Sequence, residues 1–564
     1  MQIRKICPAV IVAVCVLCCL SSFAAEIEFK IPDLPVVAHR GFSFLYPENT
    51  VISAEAAIQA GADGNEFDVY ASKDGAIIAL HDGSFNRTTN VKAETVNGKP
   101  KPVRPADLTL EEIRKLDAGS WKSPKFAGEK VPTLEELLAV AKNTENIPII
   151  EIKQDGIEQK VVDAVKTAGM ENHVVIIAFS KNVVKKVRQI APTIPAAWLW
   201  GEKWEKSEDE LVNFLVAAAK EINTNLLDLN HSSLSPKVVK GLKDAGLTVW
   251  AWTVDDPVRM RQLREAGVVS ITTNRPDLAK LPKDFTEIKA LSFNVRISTA
   301  NDGENSWQNR KEQARDVILS GDYDFVGVQE CVINPEIEKN QYEYFKSALA
   351  ENYDVIGISR NKDPNNGESM AIFYHKKRWE LDANDTGTFW ISETPEVRGS
   401  KSWDTAYART VTWGRFKSKA SGKSLYFYNT HLDHVSELAR QNGAVLIVKH
   451  ILERANKNEP FFLTGDFNCG EASPAICYLS GEAAEVAGQK LPKQTLLHDS
   501  YRDIFPYAPE AGSFHGFSGK PIKEKIDYIF VSPTVKTIQS RIIKTNKDGH
   551  YPSDHFPVDA VFAW

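Results

Sequence analysis

The sequence predicts an α/β chain of two successive domains, a (β/α)8 TIM barrel and then a domain of two packed sheets. Three observations carry that prediction. Between residues 31 and 274, eight short β-rich runs alternate with charged helical stretches. The connector Leu281-Pro282-Lys283-Asp284-Phe285-Thr286 interrupts the alternation, and beyond it strands of mixed pattern recur with fewer regularly spaced helices. A length of 564 residues exceeds one core of ordinary size and accommodates two of about 250 to 280 residues each. The expected segments are 1–25 as a signal, 26–283 as the barrel and 287–564 as the two-sheet domain.

Arg4 and Lys5 precede an apolar run over 9–20, and Ser21-Ser22-Phe23-Ala24-Ala25 follows it, the three-part pattern of a cleaved secretory signal peptide. The run falls short of the roughly 20 residues a bilayer span requires, and no later run reaches that length. The chain is therefore expected to be secreted or periplasmic, with no transmembrane anchor after cleavage. Cys15, Cys18 and Cys19 offer lipoprotein anchoring as the alternative, although none of them follows a small residue. Cys331, Cys469 and Cys477 lie beyond the signal, too few for a disulfide framework. Cys469 and Cys477 are either a bridge formed in an oxidising compartment or two small buried side chains.

With 43% hydrophobic and 25% charged residues, the chain has a globular rather than a disordered composition. Loss of Arg4 and Lys5 would take the formal net charge from -6 to -8. That acidic balance gives no general attraction to nucleic acid and tells against a stable nucleic-acid partner.

The barrel strands are expected at 36–40, 65–70, 147–153, 174–179, 195–200, 225–230, 248–254 and 268–273. A further pair, 69–72 and 76–81 around Lys73-Asp74-Gly75, reads as a hairpin excursion before the third barrel strand. Chemistry in such a barrel gathers at the C-terminal strand ends, where this chain places His39, Arg40, Glu66, Asp68, Glu151 and Lys153. Period-two alternation points Glu66 and Asp68 the same way, and likewise Glu151 and Lys153. Buried carboxylates need a compensating cation, and an oxygen-only set suits Mg²⁺ or Ca²⁺ rather than a soft metal. His81 would face that cation from a second side. Two histidines beside a phosphate suit one acid and one base, with Arg40 and Lys153 balancing phosphoryl charge.

The ordered segments His39-Arg40-Gly41, Pro47-Glu48-Asn49-Thr50, Glu66-Phe67-Asp68-Val69, Lys73-Asp74-Gly75, His81-Asp82, Arg87-Thr88-Thr89, Pro132-Thr133-Leu134, Glu151-Ile152-Lys153, Trp252-Thr253-Val254 and Thr273-Asn274-Arg275-Pro276 resemble the glycerophosphodiester phosphodiesterase family across 34–282. The resemblance implies a metal-dependent cleavage in which the substrate's own glycerol 2-hydroxyl attacks, passing through a cyclic phosphate. It implies His39 and His81 as acid and base, Glu66, Asp68 and Glu151 as metal ligands, and Arg40, Lys153 and Trp252 on the substrate. Gly64-Asn65 before Glu66 departs from the family's usual pattern without touching the ligand positions. Related barrels that cyclise sphingomyelin or lysolipids share the two histidines.

In the second half, strong β runs are expected at 289–296, 325–330, 370–375, 424–429, 461–464 and 526–531. Asn294, Glu330, His431, Asp466, Asn468, Asp527, Asp554 and His555 interrupt their apolar ends. Singly these are ordinary turn residues. As the ordered segments Leu291-Ser292-Phe293-Asn294-Val295, Gln329-Glu330, Asn429-Thr430-His431, Gly465-Asp466-Phe467-Asn468, Lys525-Ile526-Asp527-Tyr528 and Ser553-Asp554-His555 they resemble the endonuclease/exonuclease/phosphatase superfamily over 287–564. That resemblance implies a four-layer α/β/β/α sandwich. Glu330, helped by Asn294, would hold Mg²⁺ (or Mn²⁺). Asp466, fixed by Asn468, would activate water, and His555, oriented by Asp527, would contact the phosphate. His431 is a second phosphate-facing candidate, Asp554 a metal or water contact, and Arg409 and Glu368 pocket-lining candidates. Some nucleolytic members carry an acid where this chain has Arg296.

Together these readings give a secreted bifunctional phosphoesterase for small, lipid-derived glycerophosphodiesters. Three alternatives stand beside it: a lysophospholipase D or sphingomyelinase-like lipid hydrolase pair, an extracellular nuclease in the second domain, and one domain serving only to bind phosphorylated ligands.

Overall fold

The computed structural model describes residues 31–564 apart from 33, 97, 483–484, 491–496, 509–510 and 523. The signal expectation for 1–25 lies outside the described residues. The chain divides into two units, Met1–Lys283 and Asp284–Trp564. No helix among the described residues is long and apolar enough to cross a membrane.

In the first unit the parallel strands Val36–Ala38, Gly64–Ala71, Ile147–Ile152, Val175–Ala178, Ala196–Trp200, Leu226–Asn230, Thr248–Trp252 and Ser270–Thr273 form a closed eight-stranded barrel. Closure follows because Val36–Ala38 pairs with Ser270–Thr273 on one side and Gly64–Ala71 on the other. These strands are apolar on both faces. Val37, Ile149, Ile177, Leu199 and Trp250 fill the interior, while Ile150, Ile176, Val249 and Ile271 pack outward on helical residues such as Val161, Val187 and Leu215. Thr133, Ser180, Ser207 and Ser235 each accept a backbone N–H at the first turn of the following helix, which fixes where the helices begin. The expected excursion is present: Gly64–Ala71 turns at Gly75 and pairs antiparallel with Ile77–Ala79.

In the second unit two mixed six-stranded sheets lie face to face. One runs Tyr353–Ile356, Gly367–His375, Phe325–Ile333, Glu287–Asn294, Val558–Ala563, Lys536–Ile542; the other runs Trp379–Trp390, Thr410–Ser418, Ser424–His431, Phe461–Asp466, Asp527–Val531, His498–Asp499. Ile288, Phe325, Phe416, Phe427, Phe462 and Phe562 form the layer between them. Trp307, Ala314 and Phe345 cover the outside of the first sheet, and Ile447, Ile451 and Leu479 that of the second, giving the α/β/β/α sandwich.

Toward the site end the inter-sheet layer becomes polar. Gln329 Nε2 donates to Asn429 Oδ1 (2.7 Å), Asn429 Nδ2 donates to the Val328 carbonyl (2.9 Å), and the Gly465 N–H donates to Ser292 Oγ (3.1 Å). A side chain at Gly327 would stand 2.0 Å from Thr464 Oγ1, so glycine is what allows the sheets to approach here. Cys331, Cys469 and Cys477 are free thiols, the first two buried.

Candidate active sites

The barrel site starts from two backbone devices. Arg40 and Gly41 both adopt positive φ (56° and 79°), and a Cβ on Gly41 would lie 2.6 Å from the Ser53 carbonyl carbon. The turn aims the Arg40 N–H at Glu66 Oε2 (2.9 Å). Residues 47–50 are the second device. Glu48 bridges Arg40 (3.0 Å) and Arg87 (2.7 Å), Asn49 donates to Asp68 Oδ2 (2.9 Å) while accepting from its N–H (3.2 Å), and Thr50 caps Val51–Gln59.

Glu66, Asp68 and Glu151 converge, with carboxylate oxygens within 4.8 Å of one another and all three residues buried. Lys153 lies 2.8 Å from Glu151 and 3.3 Å from Asp68. Burial, then the Asp68 and Glu151 charges, push Glu66 well above the usual carboxylate range. Burial and Asp68 push Glu151 up to about 7. Asp68 is lowered: burial opposes its charge, and Lys153 and Arg40 overcome that. Lys153 and Arg40 thus compensate the cluster in part, and Glu66 Oε1 has no hydrogen-bond partner among the described residues. An all-oxygen set with an orphaned carboxylate oxygen fits a hard divalent cation.

His39 Nδ1 lies 2.8 Å from Asn274 Oδ1. Asn274 donates its own amide to Asp255 Oδ2 (2.7 Å), which fixes Oδ1 as the acceptor, places the imidazole proton on Nδ1 and leaves Nε2 able to accept. Burial, then Arg40, lower His39 to about 4, so the ring is neutral. His81 Nδ1 lies 2.8 Å from Asp82, which Arg87 holds ionised through a 2.7 Å contact. Both histidines line one cavity of about 280 Å³ together with Arg40, Glu66, Glu151, Lys153, Phe179, Asp228 and Trp252. Of the barrel candidates, His39, Arg40, Glu66, His81, Glu151, Lys153 and Trp252 thus line one cavity, and Asp68 joins them through the carboxylate cluster.

In the second unit Glu330 is re-aimed by a β-bulge. The pairing of Phe325–Ile333 with Gly367–His375 shifts register between Val328 and Cys331, and Glu330 sits at φ 60°. Its carboxylate accepts from Asn294 Nδ2 (3.1 Å) and from the Ile297 N–H (2.7 Å). Asn294 also donates to Asp466 Oδ2 (2.9 Å), while its Oδ1 accepts from the Arg296 N–H (3.0 Å). Asn294 thus ties the two carboxylates together through its amide, a bridging role beside the metal-ligand role expected of it.

Asp466 Oδ1 accepts the Asn468 N–H (2.9 Å). His555 lies 2.9 Å from Asp527 through Nδ1 and 3.8 Å from Asp466 through Nε2. Burial alone would discharge His555, but Asp527 and Asp466 overcome it and hold the ring up at about 10. Burial and Asp527 in turn push Asp466 up to about 7. Asp466, Asp527 and His555 cluster tightly enough for a metal. His555 is paired with Asp527 and faces Asp466, so the cluster is read as a proton-handling unit.

Glu330 and Asp554 are the carboxylates left for a cation. Asp554 is raised, first by burial, with Glu330 adding to the rise. Arg296, the nearby cation, is drawn bidentately to Asp302 (2.9 and 3.0 Å) and stands 3.6 Å from Asp554. This pair of oxygen donors fits a divalent ion that keeps most of its water.

His431 is neutral, lowered by burial and then by Arg409 and Arg360. Its Nε2 accepts from the Asn468 amide (2.9 Å), which puts its proton on Nδ1, an atom with no hydrogen-bond partner among the described residues. Glu330, His431, Asp466, Asn468, Asp554 and His555 line a cavity of about 770 Å³ whose wall also carries Arg296, Arg360, Glu368, Tyr407, Arg409 and His434.

Comparison with known proteins assigns the two units separately. The family model for the glycerophosphoryl diester phosphodiesterase family matches residues 39–278, and that for the endonuclease/exonuclease/phosphatase family matches 291–555. A glycerophosphodiester phosphodiesterase of Caldanaerobacter subterraneus is 34% identical over 251 residues, covering 43% of this chain and 94% of that protein. The chain belongs to the glycerophosphodiester phosphodiesterase family, with an endonuclease/exonuclease/phosphatase domain following in the same polypeptide. Among solved structures, an endonuclease/exonuclease/phosphatase protein of Bacteroides vulgatus is 33% identical over 49% of this chain and 98% of its own (TM-score 0.43). A mannosyl-6-phosphatase of Bacteroides thetaiotaomicron is 30% identical over 49% of this chain and 100% of its own (TM-score 0.42).

The chain is thus an enzyme with two phosphoesterase domains. Three features of the phosphodiesterase site lay beyond the sequence reading. Asn274 was visible as a motif residue, but only the fold shows that it orients His39. Asp82 and Arg87, separated by four residues, form the support of His81. Asp228 gave a faint signal, one acid inside an apolar strand run. In the second domain, Arg360, Tyr407 and His434 come from loops with no periodic signal.

Proposed function

We propose that the barrel hydrolyses glycerophosphodiesters to glycerol 3-phosphate and an alcohol. The observation that carries the reading is one cavity holding a neutral histidine oriented by Asn274, a second histidine backed by Asp82, and the Glu66, Asp68, Glu151 cluster. His39 Nε2 takes the proton of the glycerol 2-hydroxyl as that oxygen attacks phosphorus. The bond from phosphorus to the alcohol breaks, and His81 gives its proton to the departing oxygen. Water then opens the cyclic phosphate with the roles reversed: His81 takes the water's proton and His39 returns one to the glycerol 2-oxygen. Arg40 and Lys153 offset phosphoryl charge throughout. A Mg²⁺ or Ca²⁺ ion held by Glu66, Asp68 and Glu151 would supply Lewis-acid polarisation of the phosphoryl group. The test is a substrate lacking the 2-hydroxyl, 3-hydroxypropyl phosphocholine. It is expected to bind competitively without turnover, and its hydrolysis at the rate of glycerophosphocholine would rule out the cyclic route.

For the second domain we propose hydrolysis of a phosphomonoester, glycerol 3-phosphate being the substrate the barrel would supply. Asp466, held by the Asn468 N–H and raised to about 7, receives a proton from the attacking water, while the His555 imidazolium faces the developing phosphoryl charge. Glu330 and Asp554 would hold Mg²⁺ or Mn²⁺, which would offset phosphoryl charge. A cavity of about 770 Å³ is of small-molecule size, and the acidic net charge supports a small phosphoester over a nucleic acid. We also propose, from the segment 1–25, that both reactions take place outside the cytoplasm.

A further inference from the structure

Asp228 takes no part in the reaction above, yet it is buried in the same cavity. It sits in the strand Leu226–Asn230, is 1% exposed, and its Oδ1 has no hydrogen-bond partner among the described residues. An unpaired buried carboxyl is costly to keep, so its presence calls for a partner that arrives with a ligand.

The walls beside it are aromatic and apolar: Phe179, Trp252, Ile177 and Leu199. The rings of Phe179 and Trp252 stand 5.5 Å apart at 84°, making a corner rather than a stack. Trp252 Nε1 donates to the Asp228 carbonyl (3.1 Å), which locks the indole over that strand. Gly201 makes room for it, since a Cβ there would stand 2.8 Å from Trp252 Cζ2. Lys153 lies 5.8 Å from the Phe179 ring centre and is already engaged by Glu151 and Asp68. The corner therefore adjoins the phosphate-binding end. An aromatic pair and an unpartnered carboxyl lining one cavity fit an alkylated or primary ammonium group.

We propose that Asp228, Phe179 and Trp252 form a head-group subsite that selects phosphodiesters whose leaving alcohol carries an ammonium group. This rests on the barrel reading given above. The subsite acts on the leaving alcohol alone, so it sets which diester is preferred and takes no part in the chemistry.

The experiment compares kcat/KM of the metal-loaded full chain for glycerophosphocholine, glycerophosphoethanolamine and glycerophosphoglycerol, in the wild type and in Asp228→Asn. Phe179→Leu, at a ring that is 48% exposed, serves as a second variant should the buried one fold poorly. The wild type is expected to favour the two cationic head groups over glycerol by about tenfold or more, and each variant to shrink that ratio severalfold, mainly through KM. Choline is expected to inhibit glycerophosphoglycerol hydrolysis by the wild type and to do so more weakly in each variant. A favoured choline over ethanolamine assigns the selectivity to the aromatic corner, and the reverse order assigns it to Asp228. Turnover of all three diesters without preference, or an unchanged ratio in both variants, overturns the subsite while leaving the barrel reading intact. No turnover of any of the three overturns both.

Discussion

His555 and Asp527 meet at 2.9 Å in the interior of the sandwich, both essentially removed from solvent, and the carboxylate keeps the imidazole charged where burial alone would discharge it. The sign of this coupling gives a first prediction. Asp527→Asn removes a charge that raises His555, so the ring will lose its proton at lower pH. The basic limb of phosphomonoester hydrolysis should move down from about 10, and kcat at neutral pH should fall by about 10²-fold or more. A pH–rate profile of the variant with an unmoved basic limb would contradict it.

Asn274 acts on His39 rather than on substrate. Asn274→Ala should lower kcat for glycerophosphodiester cleavage by roughly 10- to 100-fold with little change in KM, as expected for a base that has lost its fixed tautomer. Steady-state kinetics with glycerophosphocholine would read this directly, and a change confined to KM would assign Asn274 to binding instead.

Metal binding at the barrel should depend on pH with a definite sign. Glu66 and Glu151 are raised, Glu151 to about 7, so binding must displace protons below that value. Affinity for Mg²⁺ or Ca²⁺ is expected to weaken as pH falls through about 7, by about tenfold per unit for each proton released. Calorimetric titration at pH 6, 7 and 8 would show this, and Glu66→Gln should abolish the heat. A pH-independent affinity would mean that another set of ligands holds the ion.

A stability prediction comes from the edge strand His498–Asp499 of the second sheet. His498 bonds Asp503 through Nδ1 (2.5 Å) and the Ser532 carbonyl through Nε2 (3.1 Å), so both ring nitrogens carry protons. Burial opposes this charge, and Asp503 raises the ring above its ordinary value despite it. A raised histidine contributes fully below its unfolded value near 6.5 and loses that contribution as pH rises through the folded one. His498→Gln should therefore cost about 1 to 2 kcal/mol at pH 5.5 and progressively less toward pH 9. Thermal unfolding across that range would test it, and a cost that grows with pH would contradict it.

How much of this was legible in the sequence depends on the local pattern. The barrel strands were found within a few residues because each is buried on both faces and reads as a short apolar run, in which Glu66, Asp68 and Glu151 stand out. The strand Trp379–Trp390 escaped because it is a half-exposed edge with a register shift between Leu381 and Thr386, so no alternation survives. Thr410–Ser418 and Val558–Ala563 were also unanticipated, being sheet partners that their own residues announce only weakly. In the second half the residue types alone were ordinary turn residues, and only their order as segments picked out the acids and histidines that line the cavity. Orientation was not legible: that Asn294 bridges two carboxylates through its amide, and that His431 presents Nδ1, follow only from partners distant in sequence.

The most direct test of two independent phosphoesterase centres is phosphorus NMR of the purified chain with glycerophosphocholine and Mg²⁺ or Ca²⁺, beside Glu66→Ala and Glu330→Ala. The account predicts inorganic phosphate from the wild type, accumulation of glycerol 3-phosphate in Glu330→Ala, and unreacted diester in Glu66→Ala. A wild type that stops at glycerol 3-phosphate would contradict the coupling of the two domains, and inorganic phosphate from Glu66→Ala would contradict the assignment of diester cleavage to the barrel.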